Sequence, residues 1–229
     1  MSYPLTWKPL SEDWERERER LFESGSSQLN NVQCEQTGLI CPQDMIEVAT
    51  RVYQFKVRPD DIWVLTFPKC GTTWTQVEHI SMNASCKCKT FFQELVWQIV
   101  NNVDIKAARK LKLYERTTFI ECEGLEKDYK SLDIIEGMPS PRVIKTHLPL
   151  EMLPPNLLDT CKVVFVCRNP KDTCVSFFNH FQTIPGYEVK ESTTFADFAQ
   201  LWMDGNMEFG NYWFMLKVRF TTWIRNIGP

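Results

Sequence analysis

The run Lys162-Val-Val-Phe-Val-Cys167 constrains this chain more than any other feature, because it is apolar throughout and ends at once in a charged loop, Arg168-Asn-Pro-Lys-Asp172. A strand buried on both faces reads as a continuous apolar run, the signature of a parallel sheet. Two further segments share the pattern: Asp61-Ile-Trp-Val-Leu-Thr-Phe-Pro68, closed by proline, and Arg142-Val-Ile-Lys-Thr-His147, set between prolines. Helical patterns follow the first two runs, over about 173–181 and 72–85, with Asp172 as N-cap of the former. Further helices are predicted over about 44–55, 90–111 and 194–204. Strand, loop and helix in alternation predict an α/β fold of the P-loop-like three-layer kind, a central parallel sheet flanked by helices.

The remaining segments say less. Glu12 to Arg20 pairs Glu15 with Arg18 and Glu17 with Arg20 at i,i+3 spacing, as a solvated surface helix would. Residues 23–36 are polar and carry Gly, Ser and Asn, so a loop is expected there. No internal repeat and no low-complexity linker divides the 229 residues, and one domain over 1–229 is expected.

Composition excludes some function classes. The net charge is −3, without the basic field that nucleic-acid binding needs. No apolar run is long enough to span a membrane and no signal-peptide pattern opens the chain. The nine cysteines include no CxxC, and Cys86-Lys87-Cys88 has no histidine at zinc-ligand spacing. Reduced thiols, a cytoplasmic location and no metal are the expectation. Cys167, inside its apolar run, reads as a small buried hydrophobe.

Chemistry concentrates where the three strands end. In Thr66-Phe-Pro-Lys-Cys-Gly-Thr-Thr-Trp74 a strand turns into a helix, so backbone N–H groups and the positive helix end face outward to an anion. Gly71 permits close approach, Thr72 and Thr73 add hydroxyls, and Lys69 adds charge. The Walker pattern GxxxxGK[ST] fails here, which argues against a P-loop kinase or NTPase. Lys145 and His147 lie two apart on a strand and emerge side by side, an ammonium beside an imidazole suited to general base work. Arg168 stands past the end of its strand, where open α/β sheets bind ligands, and can grip phosphate in bidentate fashion, with Ser176 within reach. Singly, each of these has an ordinary structural explanation. Jointly they describe a site for a ligand with two anionic ends.

These same residues carry a family resemblance. TFPKCGTTW resembles the 5′-phosphosulfate loop of cytosolic sulfotransferases, with Cys70 where that loop usually has serine. PRVIKTHLPLEMLP resembles the segment holding the family's catalytic histidine, and VVFVCRNPKDTCVSFFNHF resembles its 3′-phosphate motif. The resemblance runs from about 44 to 213. It implies a transferase that moves a sulfuryl group from 3′-phosphoadenosine 5′-phosphosulfate to a small hydroxyl- or amine-bearing acceptor. His147 would be the base, and Lys69 and Lys145 would stabilise the transferring group. Cys70, Gly71, Thr72 and Thr73 would cradle the phosphosulfate, and Trp74 would stack on adenine. Arg168 and Ser176 would hold the 3′-phosphate, with Ser176 also able to restrain Lys69. A sulfuryl group carries less charge than a phosphoryl group, so lysines and amides can serve without a metal.

The family pattern continues beyond FGNYW with a Tyr-Glu-Asp strand, a donor-gripping Arg-Lys-Gly segment and a dimer motif, whereas residues 214–229 diverge. A chain ending so is expected to bind donor weakly, to turn over poorly and to lack the usual dimer. An alternative role is a catalytically impaired isoform acting as an interaction protein.

Overall fold

The computed structural model describes residues 3–23, 30–70, 91–125, 128–183 and 187–217. Within them a four-stranded parallel sheet runs in the order β5-β6-β4-β7, from Thr117–Phe119 (β5), Val143–Thr146 (β6), Ile62–Thr66 (β4) and Lys162–Val166 (β7). A second, antiparallel sheet joins Trp7–Pro9 (β1), Asn31–Cys34 (β2) and Ile40–Pro42 (β3).

Strand alternation splits the parallel sheet between two layers. Trp63 and Leu65 of β4 and Ile144 of β6 pack on one face with Met45, Val48, Ala49 and Val52 of helix α2 (Met45–Tyr53). Val64, Val143 and Val166 face the other way, against Val96 of α3 (Phe91–Val100). Fully burying each such side chain contributes about 1.5–3 kcal/mol. Cys34 and Cys41 of the antiparallel sheet, and Leu39 just before β3, belong to the first of these cores, so the two sheets share one interior. The expected parallel sheet with helices on both faces is what forms. The short helices α4 (Ile105–Lys110), α5 (Leu113–Arg116), α6 (Ser131–Gly137) and α7 (Leu157–Thr160) fill the connections.

One ion pair sets the register of the central strands. Arg142 donates from Nε and Nη2 to the two carboxylate oxygens of Asp61 at 2.7 and 2.5 Å, and both residues are buried. Such a fork holds its partners in one geometry. The Ile62 amide donates to the Arg142 carbonyl beside it, and the rungs Ile62↔Val143 to Leu65↔Thr146 follow.

Several expectations need correction. Residues 31–34 are a strand, not loop: β2 pairs on both sides and buries Cys34, and pairing outweighs the polar composition. Helix α1 (Glu12–Leu21) is only partly solvated. Glu17 does pair with Arg20 at 3.1 Å, but Trp14, Arg18 and Leu21 form a buried stripe at i, i+4 and i+7. Arg18 is turned inward to Glu208, not across to Glu15. Among the described residues, strand β7 forms one margin of the sheet, with Lys162 exposed and 163–165 half-buried. Pairing with β4 ends at Thr66↔Val166, so Cys167 lies beyond it and is exposed rather than buried. Helix α8 (Pro170–Phe181) starts earlier than predicted: Asn169, not Asp172, is the N-cap, its side chain accepting from the Lys171 amide at 2.9 Å. Helix α9 (Phe195–Met203) lies within the predicted 194–204.

Candidate active site

His147 follows the last residue of β6 and is 5 % exposed. Its Nδ1 lies 2.8 Å from the Thr66 carbonyl oxygen and 2.9 Å from the Thr66 hydroxyl, at the end of the neighbouring strand. A carbonyl oxygen only accepts, so the hydrogen of the neutral ring sits on Nδ1. That places the ring's lone pair on Nε2. The Phe119 ring meets the imidazole edge-on at 5.0 Å between centroids, and Phe209 does so at 5.7 Å.

Lys145 is 2 % exposed, and its Nζ stands 4.5 Å from the centre of the Phe119 ring. Lys145 and His147 therefore meet on one aromatic ring, the juxtaposition expected from their spacing.

Beneath them lies Glu121, fully buried, whose Oε1 accepts the backbone N–H of His147. Burial pushes its carboxyl up to about 7, against the opposing His147 amide, Thr146 hydroxyl and Lys145 ammonium. Sequence reasoning missed Glu121. A lone carboxylate within the apolar stretch Thr-Thr-Phe-Ile-Glu-Cys was the available signal.

The second part of the site is the turn after β4. Lys69 is half-buried and holds a left-handed backbone, φ 67°. For a residue with a Cβ that conformation costs roughly 1–2 kcal/mol, and such strain gathers at functional sites. Cys70 points inward, its amide donating to the Phe67 carbonyl at 3.1 Å and its thiol 3.7 Å from the Thr173 hydroxyl of α8. In this turn it contributes packing. Gly71, Thr72, Thr73 and Trp74 lie outside the described residues, as does the helix predicted over 72–85.

Arg168, at the end of β7, donates from Nη1 to the Lys69 carbonyl at 3.1 Å, so these two strand ends do come together. The Tyr212 hydroxyl donates to the Arg168 carbonyl at 2.5 Å and fixes the backbone there. Thr173, Ser176 and His180 fall at i, i+3 and i+7 along one side of α8. His180 was not singled out from sequence, although its i+4 relation to Ser176 pointed to it. Burial holds its imidazole down to about 4, and the ammonium groups of Lys69 and Lys145 act in the same sense.

Comparison with known proteins identifies the family. Residues 59–223 match the family model described as the sulfotransferase domain. Human sulfotransferase 1E1 is 32% identical over 183 residues, covering 79% of this chain and 55% of its own length. Mouse sulfotransferase 1 family member D1 is 32% identical over 171 residues, 73% of this chain and 50% of its own. Among solved structures, retinol dehydratase in complex with retinol and PAP superposes with a TM-score of 0.76 at 24% identity, over 95% of this chain and 66% of that one. The chain belongs to the sulfotransferase family. It spans about half the length of the curated relatives it matches.

Proposed function

We propose that this chain handles donor and acceptor in a sulfuryl transfer from 3′-phosphoadenosine 5′-phosphosulfate to a small hydroxyl- or amine-bearing acceptor, with His147 as general base. The observation that carries this reading is the contact of His147 Nδ1 with the Thr66 carbonyl, because it sets Nε2 as the proton-accepting atom.

The donor, when bound, supplies an activated sulfuryl group and the leaving bisphosphate. Lys69, Gly71, Thr72 and Thr73 hold its phosphosulfate end, while Trp74 stacks on the adenine. Arg168, just before α8, and Ser176, in its second turn, hold its 3′-phosphate, and the helix N-terminus adds partial positive charge. The contact between Arg168 and the Lys69 carbonyl supports both ends being gripped by one rim. His147 Nε2 takes the acceptor's proton as its oxygen or nitrogen bonds to sulfur. Lys69 and Lys145 offset the negative charge that develops on the transferring group and the leaving oxygen. Glu121 holds the His147 backbone, and the rings of Phe119 and Phe209 beside the imidazole favour a flat, apolar acceptor. The same reading takes residues 1–229 as one sulfotransferase domain with a divergent tail over 214–229, acting without a metal.

The test is His147→Ala. General base removal lowers turnover by about 10²–10⁴-fold, measured as donor-dependent sulfation of a panel of phenols, alcohols and amines. Binding of PAP by calorimetry stays within error of the unaltered chain. Near-normal turnover in this variant would refute the assignment of the base.

A further inference from the structure

Outside the strand ends, one buried charge pair has no part in the chemistry just described. Arg18 on α1 and Glu208 are 4 % and 5 % exposed, with Arg18 Nη2 and Glu208 Oε1 3.4 Å apart. The guanidinium is ringed by Trp14, Phe22 and Tyr187, with centroids at 5.3, 5.7 and 5.4 Å. Asn31 of β2 donates to the same carboxylate oxygen at 3.3 Å. A buried pair of this kind costs much desolvation, and well-packed apolar residues in its place are often as stable. Stability alone therefore gives little account of it, and what it holds in place gives more.

It holds the turn that carries Phe209. Trp14 Nε1 donates to the Asn206 carbonyl at 2.9 Å, so α1 grips this segment at two points. The Phe209 amide donates to the Ile40 carbonyl of β3 at 2.9 Å. Phe209 has φ 68°, a left-handed backbone for a bulky residue, which persists only where the surroundings over-determine it. Gly210 follows with φ 71°, and a Cβ there would come within 2.4 Å of the Gly38 carbonyl oxygen. The turn is thus pressed against the antiparallel sheet on one side and drawn toward α1 on the other. Its product is the Phe209 ring, edge-on to the imidazole of His147.

We propose that Arg18 and Glu208 are positioning residues: through the strained Phe209 turn, helix α1 fixes the orientation of the His147 ring. This rests on the reading of His147 as the base only for its consequence in turnover. The orientation itself can be measured without any reaction. Thr66 anchors Nδ1, and the rings of Phe119 and Phe209, both edge-on to the imidazole, limit its tilt.

The test uses the whole 229-residue chain. It carries three histidines, His79, His147 and His180, so imidazole carbon–proton correlations can be assigned by substituting each in turn. In the double variant Arg18→Met with Glu208→Met, charge is removed in pairs and volume is kept. The His147 ring signals are expected to shift and broaden while those of His180 stay put. Turnover is expected to fall by roughly ten- to a hundredfold, the scale of a misplaced reacting group, with the KM for donor unchanged. A folded double variant whose His147 signals and kcat match the unaltered chain overturns the proposal. If the double variant does not fold, Phe209→Leu decides by the same spectra, because it removes the ring and leaves the clamp. Wild-type turnover in His147→Ala would sink the base assignment, yet the spectra would still report on the clamp.

Discussion

Lys145 and Lys69 are the two cations assigned to the transferring group, and the protein treats them in opposite ways. Lys145 is sealed among Phe119, Glu121 and the strand interior at 2 % exposure. Lys69 stands half-buried on a left-handed turn at the rim. The end of β6 is an interior whose charges were desolvated during folding. The turn after β4, with Arg168 beside it, leaves Lys69 half-buried where the proposed polyanion would enter. On the proposed reading, folding would supply the preorganisation on the acceptor side, and backbone strain on the donor side.

The sharpest way to break this comparison is Lys69→Gly. Glycine adopts positive φ without penalty, so thermal unfolding should show a gain of about 1 kcal/mol. Sulfation should nonetheless fall by roughly 10²–10³-fold, as for other preorganised donors to a developing charge. Loss of both stability and activity would mean that the turn is not strained for function. Arg168→Ala comes next. A hydrogen bond to a charged group contributes about 1.5–3 kcal/mol, so PAP affinity by calorimetry should drop by roughly ten- to a hundredfold. Fluorescence melting should change little, since Arg168 is half-buried at the rim.

Two smaller effects concern pH. Glu121 has its folded value raised from 4.5 to about 7. The folded chain therefore holds that proton more tightly than the unfolded chain, and stability is lost as pH rises through this window. Glu121→Gln, which still accepts the His147 N–H, should melt higher than the unaltered chain at pH 8 and equal it near pH 4. His180 is lowered from 6.5 to about 4. There the unfolded chain takes the proton first, so stability is lost as pH falls from 6.5 toward 4. His180→Leu should flatten that acid limb slightly in the same melting series. Between 4.5 and 6.5 the two slopes have opposite signs, so each variant should reveal a dependence that the unaltered chain partly conceals.

Much of the site could be read from sequence because its parts are local. An apolar run, a break and a cation at Lys69, Lys145 or Arg168 are neighbours along the chain, and the parallel sheet follows from the same runs. Groups that act from a distance could not be read in this way. Arg18 looked like one of several surface charges until Glu208, far along the chain, claimed it. Glu121 gains its role only once β5 lies beside β6. Residues 31–34 become a strand because β1 and β3 flank them, which no window of that polar segment discloses. Cys167 went the other way: its run is apolar, but pairing with β4 ends one residue before it and it is exposed.

The fork between Asp61 and Arg142 sits at the opposite ends of β4 and β6 from the imidazole, four paired rungs away. Its influence nonetheless reaches the proton. Side chains change faces with every one-residue slip of a ladder, and a slip here would set His147 against some carbonyl other than that of Thr66. The tautomer of the proposed base is thus inherited from an alignment made at the far margin of the sheet, and on that proposal a chain that paired these strands one step out of phase would be folded yet chemically silent.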